Sequence, residues 1–487
     1  MSKKIIMLGA IVLVTGLLIG ALVAVQHLEP APPEQSSSIA STPSIYLLGS
    51  SDGTSRAVTV HVKNEKGEFK VIDTKPNETR MTTAITIEGF EGVALKGYDL
   101  MGVADRASNM TVPSVIADAG ANLADFGLDK PRITIDITYL DNTSARLLLG
   151  SNAPGNSGVY AMKDGDPAVY MLYNTSADYF LRAPTDFIDP KITSGDSQET
   201  TIVKAVLGGS LRPDEIVIEE APQKEEDADE IIASFQTHNI TAPIKARLHV
   251  MQGLNHLVSV FGLVAPKVEA KLESDDELAK YGLAEPYSTI AIDSQSLVDG
   301  STESFKLLVS EPDASGTCFV LREGTPVVFA LPKAMLPWLE LNTFNMMDKM
   351  LILPYIDSVG KIEIKTPTET KSFTLDGVED ALTVQLDGQP YEDVKNFRQF
   401  YQTLLAASYD SYTDEAIPAG AKQLLQFSYH YRDGSTPTTI TFYEGAARKV
   451  FIQLNDESPM LAVSSYVDRI ISDLNKIVTG ATVSSYY

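Results

Sequence analysis

Phe126-Gly127-Leu128-Asp129-Lys130-Pro131 returns in the chain as Tyr281-Gly282-Leu283-Ala284-Glu285-Pro286. Glycine just past a short helix, with proline soon after, is the expected helix stop. Both copies lead into a strand-like segment: Ile133 to Tyr139 alternates apolar and polar residues in the manner of a half-buried strand, and Ser288 to Asp293 follows the second copy. The order of what comes next is also shared. In the first copy it is Ala145 to Leu149, the loop Gly150 to Gly158, then Val159 to Met162 turning through Asp164 and Gly165 into Ala168 to Leu172. In the second it is Ser304 to Val309, the loop Ser310 to Gly316, then Cys318 to Leu321 turning through Glu323 and Gly324 into Val327 to Leu331.

A diverged third copy runs Leu424 to Tyr431, Thr439 to Tyr443, Lys449 to Leu454 and Met460 to Val463, with turns at Asp433-Gly434 and Asn455-Asp456. Pro167, Pro326 and Pro459 open the last strand of each copy. Ahead of the strands the spacing predicts amphipathic helices: near Tyr98 to Met110 in the first copy, through Ile244, Leu248, Met251, Val258 and Phe261 in the second, and through Val394, Phe397, Phe400, Tyr401 and Leu404 in the third. Short strand pairs precede these helices, such as Val58 to Val62 with Glu68 to Ile72, and a closing helix is expected after each strand group. The expected fold class is α+β, three repeated units of antiparallel sheet with packed helices.

The N-terminus adds one element. Ile5 to Val25 is an uncharged run that would extend roughly 31 Å as a helix, enough to span a bilayer. Lys3 and Lys4 precede it and acidic Glu29 follows, so the positive-inside bias puts the tip in the cytoplasm and the body outside the cell membrane. The competing reading is a cleaved signal peptide; its apolar core would be too long, and Leu22 or Ile19 would fill a position that should be small. Cys318 is the chain's single cysteine, which excludes both a lipoprotein and an internal disulfide. Gly16 and Gly20 form a small-xxx-small pair able to pack membrane helices, although glycine is common in such helices anyway. The resulting organisation is 1–27 tip and transmembrane anchor, 28–44 Pro/Ser-rich stalk, 45–195 first unit, 196–355 second unit and 356–487 diverged third unit.

With 487 residues, 44% hydrophobic and 21% charged, the chain is globular in composition, and its formal net charge of −25 argues against nucleic acid or anionic lipid as a partner. The acidic run Gln223 to Glu230 reads as a solvated loop or helix start. No catalytic, cofactor or metal signature emerges. His27, His61, His238, His249, His256 and His430 show no zinc-hydrolase spacing, and His249 with His256 lacks a third ligand. Gly150, Gly155 and Gly158 lead into a strand rather than a helix, so they do not cradle phosphate. Asp164-Gly165-Asp166 reads as a turn, and Cys318 and Trp338 as packing residues. Tyr139, Tyr160, Tyr170, Tyr173 and Tyr179 make either an aromatic face or ordinary strand packing.

The block Phe126 to Arg132, the Gly150 to Tyr160 loop and the Val169 to Leu172 strand resemble the bacterial family of domain of unknown function 4340. The likeness is clearest over Leu123 to Asp189 and Leu278 to Leu351; the third copy departs from the signature, with Pro418 and Gly420 in a different order. The signature positions are Gly127, Leu128, Pro131, Gly282, Leu283 and Pro286, all structural. Members of that family are typically anchored in this way, and some are encoded near gliding-type ABC export systems. The resemblance therefore implies a transporter-accessory role with membrane transporter subunits as partners, and the anchor, the repeats and the missing chemistry point to a non-enzymatic scaffold or accessory protein. The alternative is an extracytoplasmic ligand-binding protein or enzyme acting on envelope glycans. A concave pocket holding convergent carboxylates would distinguish the second from the first.

Overall fold

The computed structural model describes residues 45–49, 54–221 and 237–484. The anchor, Gly16, Gly20, His27, the stalk and the acidic run 223–230 lie outside the described residues. Among the described residues no helix is long and apolar enough to cross a membrane. The fold is α+β: antiparallel sheets with a few helices.

The chain divides into two compact units. The first comprises the residues up to Gly89 together with Gly97–Ala183, and the second Phe90–Lys96 with Pro184–Tyr487. In the first unit an eight-stranded sheet runs in the spatial order Ile85–Ile87, Gly67–Asp73, Ala57–Asn64, Ile133–Tyr139, Ser144–Asn152, Val159–Lys163, Val169–Leu172, Ser114–Ala117. Two meanders thus meet where Ala57–Asn64 pairs with Ile133–Tyr139, and a strand drawn from between them covers the far edge. Alternation decides the faces: Ile133, Ile135 and Ile137 are buried at 1%, 0% and 2% exposure, while Thr134, Asp136 and Thr138 face the other way. The helix Gly97–Ser108 buries Leu100, Val103, Ala104 and Ala107. Ile45–Leu48 pairs with Met110–Val112 as a separate two-stranded sheet.

The second unit holds two sheets. One has nine strands in the order Ala246–Arg247, His238–Ala242, Ile216–Glu220, Thr200–Gly208, Ser288–Ser296, Thr302–Val309, Thr317–Arg322, Val327–Pro332, Lys267–Lys271. The other has eight, Gln389–Tyr391, Thr383–Leu386, Thr370–Asp376, Val359–Lys365, Gln423–Tyr431, Thr438–Glu444, Lys449–Leu454, Met460–Val463. The plan of meander, helix, meander is that of the first unit's sheet. The covering edge strand is Lys267–Lys271 in the nine-stranded sheet, and in the last sheet it shrinks to a single bridge, Ser411 to Leu461. One hydrophobic core runs continuously from Ile188 to Val483 and includes residues of both sheets.

In the last sheet Asp393 caps the helix Val394–Leu405, its carboxylate accepting from the Asn396 amide at 3.0 Å. That helix buries Phe397, Phe400, Tyr401 and Leu404; Phe373 lies 5.3 Å from the Phe397 ring and 5.8 Å from the Phe400 ring. Each such side chain contributes roughly 1.5–3 kcal/mol by leaving water. Ser464–Thr479 closes the sheet and stops at Gly480, where the Ala481 amide reaches back to the Lys476 carbonyl.

Two expectations need correction. The helix of the second copy does not reach back to Ile244 and Leu248. It consists of short turns over Val250–Leu254, Asn255–Leu257 and Val258–Val260, with Met251 exposed at 66%. Gly253 lowers helix propensity at its centre, and Leu248 is taken by an extended bridge to Met347. The closing helix is long only in the last sheet; the others close on short turns, Asn174–Ala177 with Asp178–Phe180, and Lys333–Met335 with Pro337–Glu340. Pro337, which has no amide hydrogen to donate back to Lys333, separates the latter pair.

Candidate functional site

The repeated hexapeptides form the same joint twice. Leu123–Phe126 and Asp275–Tyr281 are short helices ended by Gly127 and Gly282, each at φ +67°. The Leu128 amide donates to the Leu123 carbonyl at 2.9 Å and the Leu283 amide to Leu278 at 3.0 Å, the paired bonds of a Schellman stop. Leu128 and Leu283 are buried at 2% and 1% exposure. Pro131 and Pro286 sit just ahead of the strands Ile133–Tyr139 and Ser288–Ser296, and Pro286 also accepts from the Ser210 amide. The aromatic residue before each glycine meets a ring on the strand beyond: Phe126 and Tyr160 are T-shaped at 5.0 Å, Tyr281 and Phe319 at 5.3 Å. The signature therefore holds sheet to turn.

A second repeated device lies in the unit containing the last two sheets, and it was not recognised in the sequence. Residues 187–192 and 346–351 are connectors with matching hydrogen bonds. On one side Asp189 donates its amide to Ala94 at 2.9 Å and Asp348 to Arg247 at 2.8 Å, while Lys96 donates to Phe187 and His249 to Met346, both at 2.8 Å. On the other side Ala265 donates to Pro190 at 2.9 Å and Tyr409 to Lys349 at 2.8 Å; Ile192 donates to Leu263 at 2.8 Å and Leu351 to Ala407 at 3.3 Å. The aspartate also turns each connector, accepting from Lys191 at 3.0 Å and from Met350 at 3.1 Å. The aspartate-x-lysine or aspartate-x-methionine step was visible, but its apolar neighbours give no periodic signal.

The second connector lines a cleft of about 810 Å³. One wall is the hairpin Asn239 to Arg247, the floor is Met347 to Pro354 with Tyr409, and the other wall holds Thr438, Asp456, Glu457 and Ser458. Arg247 is bound to the floor: it pairs with Asp348 at 3.1 Å and donates to the carbonyls of Met350 and Leu351. Burial lifts the Glu457 carboxyl above its ordinary range, with Lys245 pulling it partly back. Burial, reinforced by Glu457, pushes the Tyr409 phenol up. These residues escaped sequence reading because they come from three distant segments.

The other sequence candidates have separate duties. The Tyr139 hydroxyl donates to the Ala107 carbonyl at 3.1 Å and burial pushes it to about 12. Tyr170, donating to Asp166 at 2.6 Å, is also pushed to about 12 by that bond. Tyr179 lies under Arg182 at 5.1 Å and Arg106 at 5.7 Å, and Tyr173 is half exposed, so the tyrosines are not gathered on one ligand. His61 meets Glu68 at 2.7 Å, His238 meets the Ile202 carbonyl at 2.7 Å, His249 accepts from the Gln252 amide at 3.2 Å and His430 meets Glu363 at 3.2 Å. Among the described residues no three His, Cys, Asp or Glu side chains are placed to hold a metal. Cys318 and Trp338 are fully buried.

No curated protein and no solved structure matches the chain. The signature joints, the connectors and the repeated meander lie within or beside residues 91–260 and 262–425, the two segments that match the domain of unknown function (DUF4340), and the chain belongs to that family.

Proposed function

We propose that this is a membrane-anchored extracytoplasmic accessory protein, built from three copies of one sheet unit, that holds a partner without catalysing a reaction. The anchor is the span Ile5 to Val25, and the partner class is the subunits of a membrane transporter. The observation that carries this reading is the duplicated connector, whose backbone hydrogen bonds all lie within the second unit, because a scaffold needs a rigid body rather than a hinge around an active site. Three sheets of common strand order and a signature used wholly in packing support the same reading. The cleft supports binding: it is concave and mixed in charge.

The test is crosslinking in intact cells, followed by purification of the full chain through its C-terminus and mass spectrometry. Transporter subunits recovered in stoichiometric amount are the expected outcome. Recovery of the chain alone at good yield overturns the proposal and turns attention to envelope glycans as ligands of the cleft.

A further inference from the structure

Three segments lead into the helices of the three sheets, and two of them are paired in one way. Ahead of Gly97–Ser108, Leu95 bridges Ile188: the Ala94 carbonyl accepts from Asp189 and the Lys96 amide donates to Phe187. Ahead of Val250–Leu254, Leu248 bridges Met347 by the same two bonds, Arg247 accepting from Asp348 and His249 donating to Met346. Ahead of Val394–Leu405 the last sheet presents a matching edge, with Tyr391 packed against the core as Leu95 is. Pro390 has no amide to give Gln385 across the hairpin, so that pair is of the non-bonded kind and the Pro390 carbonyl points away from Thr383–Leu386. Glu392, two residues on, shares that edge. Both residues are exposed, and among the described residues neither the Pro390 carbonyl nor the Glu392 amide has a hydrogen-bond partner. The residues after the closing helix do not supply one: Ala481 and Val483 are held by the Asn396 side chain and Ser484 by Arg469.

The complementary half lies near the start of the chain. Three residues past Ile188 and Met347, each connector bridges the segment that follows the next helix, Lys191 opposite Val264 and Met350 opposite Ser408. In the first unit Tyr46 stands opposite Thr111 in the same place, after Gly97–Ser108 and two residues ahead of Pro113, as Val264 is two ahead of Pro266. Ile45–Leu48 is therefore the second half of a connector, and its register puts Thr42, Pro43 and Ser44 at the positions of Phe187, Ile188 and Asp189. In the sequence the anchor and stalk, not a sheet unit, come before them. The bridge to a helix-leading segment uses the carbonyl of the first of these positions and the amide of the third, so a proline in the middle is admissible. Ser36 to Ile45 carries no charge, so this segment can approach the edge beside Glu392 and Asp393 without repulsion.

We infer that the chain associates head to tail with a second copy of itself: residues 42–44 of one copy add to the Pro390–Glu392 edge of another, Thr42 accepting from the Glu392 amide and Ser44 donating to the Pro390 carbonyl. The contact repeats between copies the pairing that the connectors make twice within one. Its two sides are different surfaces, so it propagates into rows of copies rather than closing as a pair. Two backbone bonds make a weak tie, with a dissociation constant on the order of 100 μM in solution. Anchoring in one membrane raises the effective concentration of copies. Such rows go beyond the accessory role and do not depend on a transporter as partner.

The test uses the full chain in detergent. Two preparations are made in a Cys318→Ala background, one carrying Pro43→Cys and the other Tyr391→Cys, because these positions would face each other as a non-bonded antiparallel pair, within disulfide reach. Mixed under mild oxidation they should give linked pairs of chains, about tenfold more than Ser38→Cys mixed with Tyr391→Cys. Sedimentation velocity of the unaltered chain should show species growing past the dimer as concentration rises, more so at high salt, which screens the repulsion between acidic copies. Glu392→Pro removes only an unpaired amide, so it should keep the melting temperature and weaken association about tenfold. A chain that stays monomeric up to about 300 μM, a disulfide that forms only inside a chain given both cysteines, or association that Glu392→Pro leaves unchanged would each overturn the proposal. Pairing through the anchor helices gives the last result and stops at two chains. In-cell crosslinking to transporter subunits reads a different contact, so the two ideas fail separately.

Discussion

Replacing Gly127 and Gly282 in turn by alanine separates two costs that the signature hides. Both sit at φ +67°, where an alanine side chain costs about 1–2 kcal/mol against glycine. At Gly282 the added carbon meets only Ser310 Cβ at 3.5 Å, an ordinary contact. At Gly127 it collides with Ser151 Oγ and stands 3.0 Å from the Ser151 amide nitrogen, so overpacking adds about 1–3 kcal/mol. Gly282→Ala should therefore cost about 1–2 kcal/mol and Gly127→Ala about 2–5 kcal/mol, at roughly 2–4 °C of melting temperature per kcal/mol. With two compact units a single transition is not assured, so the local readout is hydrogen exchange of Ile133–Tyr139 against Ser288–Ser296. Ser151→Ala should restore part of the loss in the Gly127→Ala background and nothing in the Gly282→Ala background. Equal costs at the two glycines, or no recovery on removing Ser151 Oγ, would refute the reasoning.

Three further outcomes are expected. The Ser301 hydroxyl and amide hold the Asp299 carboxylate down to about 2 from 3.8; its stabilising effect is complete above the ordinary value and disappears as pH falls through about 2, and an NMR titration giving an ordinary midpoint would contradict this. Burial raises the Cys318 thiol to about 11, so a thiol reagent at pH 8 should label the denatured chain and spare the folded one; rapid labelling of the native protein would show the strand Thr317–Arg322 to be open. Arg212 is buried, donates to the carbonyls of Gly208, Trp338 and Leu341 and to Ser288 Oγ, and has its pKa lowered by desolvation. Arg212→Ala should cost about 3–5 kcal/mol in urea unfolding, and Arg212→Lys should recover less than half of it, because an ammonium cannot span four acceptors.

Strands were the most legible part of this sequence, for a physical reason. A period of two survives wherever one face is buried, as in Ile133–Tyr139 and Gln423–Tyr431, and glycine marks the turns between. The helix Val394–Leu405 was equally plain because Val394, Phe397, Phe400, Tyr401 and Leu404 lie near one face. Where tertiary pairing outweighs local pattern the reading went astray: Leu248 fits a helix by spacing yet bridges Met347, and the covering strands Ser114–Ala117 and Lys267–Lys271 are too short to announce themselves. A finer alignment had a usable signal in the hairpin turns. Asp141, Asp299 and Asp433 each accept from the amide two residues on, at 3.0, 3.0 and 2.8 Å, in all three sheets. The cleft was illegible because its lining is drawn from residues 239–247, 347–354 and 438–460, which no local pattern joins.

Residues 90–96 lie between two stretches of the first unit in the chain but are counted with the second. The polypeptide therefore crosses from one unit to the other three times, not once. A protein cut at Ala183 would carry Leu95 away from Ile188 and Lys96 away from Phe187, exposing one half of a pairing it can no longer complete. A single proteolytic nick between the units would leave covalent strands still joining them. For anyone dissecting the molecule, the usable parts are not consecutive lengths of sequence: isolating the first unit requires a short linker in place of 90–96 as well as a stop, and the second then needs that heptapeptide supplied back to it.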